Sequence, residues 1–253
     1  MAFAGATVHI GCAFSIVELL AVLYDQHLTI DRNNPKSPTR DYMVLSKGHG
    51  VMTQYACLHE LGWVTNDDLS QYFGDGTRLK GLADAHVPGV EASTGSLGHG
   101  LSVAAGLALA AKLNKTKQTC YTLVGDGELN EGAIWEAALF AAHFKLDNLI
   151  TIVDKNGFQA MGNTDDVIAM GNIEEKFRAF GFDVMTIDGH NESAISQAYG
   201  HMKASLNGRP KAIVATSVKG KGVSFMEHNN LWHYTRLTPE TYAAAIAELG
   251  YAA

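Results

Sequence analysis

Two polar clusters, each directly after an apolar run, contain the side chains best suited to chemistry. Gly125-Asp126-Gly127 follows the run at residues 121–124, and Asp154-Lys155-Asn156 follows the run at residues 149–153. An Ala-rich helical pattern covers residues 131–143 between them. This alternation predicts a strand, a turn, a helix and a second strand. Both clusters then lie at the carboxyl ends of parallel strands, where open sheets bind ligands.

The residue types in these clusters fit a divalent cation bound to a diphosphate. Asp126 and Asn156 would supply two hard oxygens, and Mg²⁺ needs few protein ligands when phosphate oxygens complete its coordination. Gly125 and Gly127 would let the backbone turn sharply and approach a phosphate closely, and the next helix would point free N–H groups at the anion. Taken alone, Gly-Asp-Gly is equally typical of an ordinary turn.

The longer segment resembles the thiamine diphosphate signature of transketolases. It reads GDGELNEGAIWEAALFAAHFKLDNLITIVDKN, with the family's spacing between the Gly-Asp-Gly and the Asn. The resemblance implies thiamine diphosphate and Mg²⁺ as cofactors, with the cation held by Asp126, Asn156 and the main-chain carbonyl of Phe158. It also implies cofactor contacts for the two glycines that flank Asp126, and for Glu131 at a subunit contact. An acidic residue is also common in the first turn of a helix, whatever its function.

Four histidines match histidines of the transketolase active site. His9 lies in Thr-Val-His-Ile-Gly-Cys, where the family has Ser-Gly-His-Pro-Gly-Gly or a similar run, and His49 ends Val-Leu-Ser-Lys-Gly-His. His86 matches the histidine that faces the donor sugar. His233, which follows a Lys-Gly-Lys-Gly loop, resembles the histidine that reaches the diphosphate. The resemblance therefore implies catalytic roles for all four, as hydrogen-bond partners of sugar or diphosphate oxygens and as proton carriers.

A glycine-rich loop at residues 81–100 precedes a helix of small residues predicted at 101–111. The loop is similar to the family's Gly-Val-Glu-x-Thr-Thr-Gly-x-Leu-Gly-Gln-Gly. This match assigns Gly95, Ser96 and Leu97 to the cofactor-binding site. The small residues of the helix suit close contact with another backbone, either in the core or between subunits.

Four positions depart from the family pattern. Val8, Cys12 and Ala85 replace glycines, and His99 replaces a glutamine. We expect His99 to take over the glutamine's hydrogen bonds rather than to act in catalysis.

The rest of the chain continues the alternation of strands and helices. Strands are predicted at residues 182–187 and 211–217, and helices after Asn172, at residues 194–206 and after Thr238. Strands separated by helices favour a parallel sheet with helices on both faces.

Capping boxes predict further helix starts at Ser15-Ile16-Val17-Glu18 and at Thr65 to Asp68. No linker, repeat or low-complexity tract interrupts the chain. We therefore expect one α/β domain over residues 1–253, which the resemblance identifies as the three-layer thiamine diphosphate-binding fold.

Composition excludes several classes of function. The 253 residues carry a formal charge of −7 and include no basic stripe, which argues against a nucleic acid partner. Cys12, Cys57 and Cys120 lack the spacing of disulfide or metal pairs, which fits a reducing compartment. Neither a basic leader nor an apolar run of membrane length is present. We expect a cytoplasmic protein with no membrane partner.

The resemblance extends from His9 to Leu249 and is to the N-terminal, diphosphate-binding domain of transketolases. It implies the N-terminal subunit of a split transketolase, which transfers a two-carbon ketol unit from a ketose or ketose phosphate donor to an aldehyde acceptor. The pyrimidine-binding domain, with the glutamate that activates the cofactor, is expected on a separate C-terminal subunit. An α2β2 heterotetramer would satisfy closed symmetry.

Three alternatives remain. The α-type subunit of a thiamine diphosphate-dependent 2-oxoacid dehydrogenase or decarboxylase also binds the diphosphate and needs a partner, but the four histidines favour the sugar enzyme. A deoxyxylulose-phosphate type synthase is normally one chain. A non-catalytic interaction protein would not need the metal pair and the histidines to be present. The sequence identifies neither the donor nor the acceptor.

Overall fold

The computed structural model describes residues 1–250 and is built around a five-stranded parallel sheet. The described strands are β1 (Thr7–Val8), β2 (Tyr42–Leu45), β3 (Cys120–Gly125), β4 (Leu149–Lys155), β5 (Phe158–Gln159), β6 (Gly162–Asn163), β7 (Asp183–Asp188), β8 (Lys211–Thr216) and β9 (Thr235–Arg236). The order in the central sheet is β2-β3-β4-β8-β7, and all its neighbours are parallel. Two small antiparallel pairs, β1 with β9 and β5 with β6, lie outside it.

Helices connect these strands and cover the sheet. The described α-helices are α1 (Gly11–Phe14), α2 (Val17–Val22), α3 (Val51–Glu60), α4 (Asn66–Ser70), α5 (Gly100–Leu113), α6 (Gly132–His143), α7 (Thr164–Ile168), α8 (Ile173–Ala179), α9 (Glu192–Ala204) and α10 (Pro239–Glu248). A π-helical turn at Leu23–His27 extends α2, and 3-10 turns cover Gly48–Gly50, Gly127–Asn130 and Asn230–Trp232. Within residues 1–250, no helix combines the length and the apolar character needed to cross a membrane.

Both faces of the sheet are buried, which explains the continuous apolar runs of β3 and β4. Successive side chains of a strand point to opposite faces. Tyr121 and Leu123 pack into an apolar cluster with α2, α3 and α9, whereas Cys120 and Val124 pack into a second cluster with α5, α6 and α8. The predicted three-layer architecture is therefore confirmed.

Strand register brings the functional clusters to one edge of the sheet. Gly125 pairs with Asp154, and Asp154 pairs in turn with Ala215 on β8. On the other side of β3, Leu45 pairs with Leu123. The residues that follow β2, β3, β4 and β8 consequently lie side by side at the carboxyl edge.

The two predicted capping boxes have different outcomes. Thr65 is confirmed as a cap, since its Oγ1 accepts from the Asp68 amide at 3.1 Å and Asp68 Oδ2 accepts from the Thr65 amide at 2.9 Å. The box at Ser15 is wrong, because α2 begins at Val17 without a side-chain cap. Ser15 Oγ instead donates to Asp154 Oδ2 at 2.7 Å. The Ser15 hydroxyl, which the local sequence pattern assigned to a helix cap, is thus hydrogen-bonded to a buried carboxylate instead.

Candidate active site

A cavity of about 600 Å³ opens at the carboxyl edge of the sheet and collects most of the site residues predicted from the sequence. Those that line it are His9, His49, Gly95, Leu97, Gly125, Asp126, Gly127, Glu131, Asn156, Phe158 and His233. A second cavity of about 630 Å³ lies between the N-terminal residues and helices α2 and α3, and is mostly apolar. It contains none of the predicted site residues.

His86 and Ser96 do not line this cavity. The His86 side chain is 92% exposed, and its Nδ1 lies 2.7 Å from Asp84 Oδ1. The same carboxylate oxygen accepts from the His86 amide at 3.1 Å, which holds the residue at the surface. Ser96 is also exposed. The structure therefore does not bring His86 together with the other three histidines, and its catalytic role stays a prediction from the resemblance.

Three of the histidines that line the cavity form a cluster. The ring centroid of His9 lies 5.0 Å from that of His49 and 5.4 Å from that of His233, and the last two rings are 5.7 Å apart. His9 directly follows β1, and His233 is separated from β9 by Tyr234. Pairing of Val8 with Thr235 therefore draws these two histidines together. His49 joins them from the 3-10 turn that follows β2.

The environment keeps all three imidazoles neutral near pH 7. Burial, followed by the positive charge of Lys219, lowers the pKa of His9 to about 4 and that of His233 to about 3. Burial and the charge of Lys47 hold the pKa of His49 well below its ordinary value of 6.5. A neutral imidazole has one donor and one acceptor nitrogen. The cluster can therefore both donate to and accept from an uncharged polar ligand.

Lys219 provides the positive charge of the cavity. It is 1% exposed, and its Nζ lies 2.7 Å from Asn230 Oδ1 and 2.8 Å from His233 Nδ1. Burial lowers its pKa to about 8. Among residues 1–250 it has no carboxylate partner within ion-pair distance, so its charge is available to a bound anion. The Lys-Gly-Lys-Gly motif includes this lysine, but the resemblance assigned a role only to His233.

Asp126 is a buried carboxylate that forms no ion pair with any residue in the described part of the chain. It is 3% exposed, and its two oxygens accept from the Gly127 amide at 2.8 Å and the Gly157 amide at 2.6 Å. Burial, followed by repulsion from Asp154, raises the pKa of Asp126 to about 6. Such a carboxylate favours a cation close by. Asn156 follows the neighbouring strand and presents its Oδ1 to the Phe158 amide at 3.0 Å.

The turn after Asp126 differs in two respects from the prediction. Neither Gly125 nor Gly127 has a positive φ, so left-handed backbone is not the reason for the two glycines. A Cβ at Gly127 would lie 2.7 Å from Gln159 Cβ, which makes close approach the reason there. A 3-10 turn follows, and α6 begins only at Gly132. The N–H groups that donate to Asp126 therefore come from Gly127 in this turn and from Gly157 after β4, and not from α6.

Two further buried carboxylates organise the site, and neither was assigned a role from the sequence. Glu128 accepts from Ser46 Oγ at 2.5 Å, from the Gly98 amide at 2.8 Å and from the Gly125 amide at 3.1 Å. It thereby ties the ends of β2 and β3 to the glycine-rich loop. Burial raises the pKa of Glu128.

The second carboxylate is Asp154, which is fully buried and forms an ion pair of 2.5 Å with Lys47. Burial alone would raise the pKa of Asp154, but the charge of Lys47 and the hydrogen bonds around the carboxylate lower it. Burial alone would likewise lower the pKa of Lys47, but attraction to Asp154 outweighs this cost and raises it. The sequence does contain a signal for Asp154, because it is a charged residue at the end of an apolar strand.

The cavity fits a metal-bound diphosphate. Asn130 Oδ1 and Gln159 Nε2 line it, are buried and have no hydrogen-bond partner among the described residues. Residues 1–250 include no group of three His, Cys, Asp or Glu side chains that could hold a metal by themselves. A cation beside Asp126 would therefore need other oxygen ligands, as Mg²⁺ does when it binds phosphates.

Comparison with known proteins identifies the domain. Residues 4–253 match the family model described as the transketolase thiamine diphosphate-binding domain. The chain belongs to the transketolase family. It is 43% identical over 242 residues to a 6-deoxy-6-sulfo-D-fructose transketolase subunit of Clostridium sp. strain MSTE9, and this alignment covers 95% of the chain and 88% of the relative. It is 41% identical to an apulose-4-phosphate transketolase subunit of Actinobacillus succinogenes, covering 95% and 87% respectively.

Solved transketolases have the same fold. The chain superposes on the transketolase of Campylobacter jejuni with a TM-score of 0.93 and 31% identity, and on that of Leishmania mexicana with a TM-score of 0.91 and 33% identity. These alignments cover 98% of the chain but only 40% and 39% of the two transketolases. The family, the fold and the cofactor class expected from the sequence are thus confirmed: this is a transketolase-type subunit with a thiamine diphosphate-binding domain.

Proposed function

We propose that the chain is the diphosphate-binding subunit of a two-chain transketolase that transfers a two-carbon ketol unit from a ketose or ketose phosphate to an aldehyde. The observation that carries the proposal is the convergence, on one cavity, of the unpaired Asp126 carboxylate, the unpaired Lys219 cation and three neutral histidines. A metal-bound diphosphate would compensate both buried charges, and the histidines would face the uncharged hydroxyl groups of the sugar.

Asp126, Asn156 and the main-chain carbonyl of Phe158 would hold Mg²⁺ against the diphosphate. Lys219 would pair with a diphosphate oxygen. Asn130 and Gln159 would satisfy their buried polar atoms on the same ligand. When bound, thiamine diphosphate supplies the nucleophilic carbon that ketol transfer requires.

His9, His49 and His233 would orient the sugar and move protons between its hydroxyl groups. Their lowered pKa values favour this role, because a neutral ring can accept a proton from one hydroxyl and donate to another. His86 would act from the rim of the site, since it lies on the loop that also supplies Leu82 and Gly95 to the cavity.

A separate chain would supply the pyrimidine-binding domain and its activating glutamate. The relatives from Clostridium and Actinobacillus are themselves named as subunits, and the chain covers 88% and 87% of their lengths. The C-terminal part of α6 and its C-cap residue support assembly, because Leu139, Phe140 and Phe144 are 60%, 38% and 41% exposed there. Exposed apolar side chains grouped on one face are typical of a protein interface. We infer an α2β2 assembly in which Glu131, at the start of α6, lies at the contact between subunits.

We also infer a cytoplasmic location. Cys12, Cys57 and Cys120 are all free thiols, two of them buried, which fits a reducing compartment.

The test is to capture the tagged chain from its native extract with Mg²⁺ and thiamine diphosphate, and to identify retained proteins by mass spectrometry. Recovery of a chain with a pyrimidine-binding domain is expected, and the two would then be co-expressed. The pair should transfer a ketol unit from at least one donor in a panel of ketoses and ketose phosphates, including 6-deoxy-6-sulfo-D-fructose and apulose 4-phosphate. The same pair with Asp126→Ala is the inactive control.

Two of the alternative functions would give different results. Turnover of 2-oxoacids with an artificial electron acceptor, without ketol transfer, would indicate the 2-oxoacid dehydrogenase class. A stable pair that binds no thiamine diphosphate would indicate a non-catalytic interaction protein and would contradict the proposal.

A further inference from the structure

We propose that Asp154 and Lys47 are positioning residues that fix which end of the Asn156 amide faces the bound cation. The inference rests on the proposed function, because it concerns the Mg²⁺ ion proposed to bind Asp126 and Asn156. Neither Asp154 nor Lys47 would touch the cation, and both act through the orientation of one amide group.

The contacts of Asp154 determine one end of that amide. Its carboxylate is 0% exposed and accepts four side-chain hydrogen bonds. The donors are Asn156 Nδ2 at 2.7 Å, Lys47 Nζ at 2.5 Å, Ser15 Oγ at 2.7 Å and the hydroxyl of Ser217. An ionised carboxylate only accepts hydrogen bonds, so the Asn156 atom that faces it must be the NH2 group.

The main chain determines the other end. Asn156 Oδ1 accepts from the Phe158 amide at 3.0 Å, and an amide N–H can only donate. Rotating the amide by half a turn would place NH2 against N–H and oxygen against the Asp154 carboxylate, losing both hydrogen bonds. The oxygen therefore points toward the turn at Gly157, whose amide donates to Asp126 Oδ2 at 2.6 Å. Asp154 thus presents the Asn156 oxygen to the side occupied by Asp126.

Lys47 makes this arrangement possible by neutralising Asp154. An ammonium group has three N–H donors. Those of Lys47 are directed at Asp154 Oδ2 at 2.5 Å, the Cys12 carbonyl at 2.9 Å and Ser15 Oγ at 3.4 Å. Lys47 lines the cavity, but none of its donors is left for a diphosphate. In this it differs from Lys219, which has no carboxylate partner in the described chain.

The competing explanation is that the ion pair only stabilises the core. A double variant separates the two explanations, because removing both partners leaves neither Lys47 nor Asp154 behind as an unpaired buried ion. In Lys47→Met with Asp154→Asn, residue 154 can donate or accept, so it no longer selects one orientation of Asn156. We expect the affinity for Mg²⁺ to fall by about ten-fold or more, as is usual when groups behind a metal ligand are removed.

Calorimetric titration of Mg²⁺ into the assembled enzyme with excess thiamine diphosphate measures this affinity. The matched control is Lys203→Met with Asp41→Asn, which removes another ion pair, of 2.8 Å, whose carboxylate is 2% exposed. Asp41 immediately precedes β2, at the opposite edge of the sheet. The control should bind Mg²⁺ as the parent does. A Lys47/Asp154 double variant with native circular dichroism and parental Mg²⁺ affinity would overturn the inference.

A second measurement applies even if the double variant does not fold. In the parent, NMR should show the side-chain NH2 of Asn156, assigned by its loss in Asn156→Ala, with one proton shifted downfield and protected from solvent exchange. A rapidly exchanging, unshifted NH2 signal would contradict the inference while leaving the transketolase proposal intact. A parent enzyme that binds no Mg²⁺ with thiamine diphosphate would instead refute the proposed function, and this inference with it.

Discussion

The ammonium nitrogen of Lys219 lies 2.8 Å from Nδ1 of His233. Burial and then this neighbouring charge lower the pKa of His233 to about 3, so the ring is neutral and Nδ1 accepts from the ammonium group. The ring proton must then be on Nε2. His233 is thereby fixed as a donor at Nε2, which suits an oxygen of a diphosphate or a sugar.

Lys219→Met should raise the pKa of His233 and of His9 toward 6.5, because it removes a positive charge beside both rings. Both values should remain below 6.5, since burial is the larger cause. NMR titration of the imidazole ring protons measures the shifts. Lys221→Met is the control, because that lysine pairs with Glu227 in the same loop at 3.5 Å. A His233 ring that titrates near 6.5 in the parent would contradict this account.

Asp126 should destabilise the cofactor-free chain above pH 6. Its pKa is about 6 in the folded state, against 3.8 for an ordinary aspartate, so stability falls as the pH rises from 3.8 to about 6, and the full cost is present above pH 6. At pH 8 we expect the free energy of unfolding of Asp126→Asn to exceed that of the parent by on the order of 2 kcal/mol. This advantage should shrink as the pH falls from 6 toward 4, where the parent carboxyl is protonated in the folded state.

Urea unfolding of both proteins at several pH values measures this difference. If the two free energies differ by the same amount at pH 8 and pH 5, the carboxyl does not titrate in this range. The same Asp126→Asn substitution should weaken Mg²⁺-dependent cofactor binding, so stability and binding would change in opposite directions.

The alternation of apolar runs and helical patterns predicted the sheet, because strands that are buried on both faces, such as β3 and β4, have continuous apolar sequences. Clustering of Asp126 with Asn156 also followed from sequence, since both directly succeed neighbouring strands. The role of Ser15 did not follow, because its partner Asp154 is 139 residues away and outcompetes a local cap. Contacts between residues so far apart in the sequence depend on the order of the strands in the sheet. The periodicity of apolar residues does not specify that order.

The position of the His86 side chain also could not be predicted from the sequence. Its match to the family pattern is a property of the loop sequence, whereas its side-chain direction is set by Asp84 two residues earlier. Lys219 was overlooked for a related reason. A lysine in a glycine-rich loop is usually solvated, and its burial depends on packing against residues that are distant in sequence.

Asn156→Ala should abolish Mg²⁺-dependent retention of thiamine diphosphate without unfolding the chain. The substitution removes an oxygen proposed to bind the cation and leaves the apolar core unchanged. Equilibrium dialysis of the assembled enzyme, with and without Mg²⁺, measures retention. Asn163→Ala, at an exposed position of β6, is the control. Retention within error of the parent would show that the metal assignment is wrong.

His86→Ala should lower ketol transfer far more than cofactor binding, whereas His49→Ala should lower both. This contrast follows from position, because His49 lies in the histidine cluster and His86 is 92% exposed outside the cavity. Steady-state transfer rates and cofactor dissociation constants would be measured for the two variants. Parental transfer by His86→Ala would remove this residue from the active site.

Gly98→Ala should destabilise the fold and displace Glu131. Gly98 has φ of +87°, and a Cβ there would lie 2.6 Å from Glu131 Cβ. Its amide also donates to Glu128 Oε1, which joins this loop to the end of β3. Strain and a steric clash together should cost about 2 kcal/mol or more of the free energy of unfolding.

The matched control for this substitution is Gly106→Ala in the middle of α5, where an added Cβ meets nothing within 4 Å. Alanine is a better helix former than glycine, so this variant should be more stable than the parent by about 0.5–1 kcal/mol. Urea unfolding of the isolated chain compares the two. The two substitutions should change the free energy of unfolding in opposite directions. Gly98 is required by its backbone conformation and its contact with Glu131, whereas Gly106 is not required by either. A Gly98→Ala variant as stable as the parent would contradict the prediction, because it would show that the loop relaxes to accept the added Cβ.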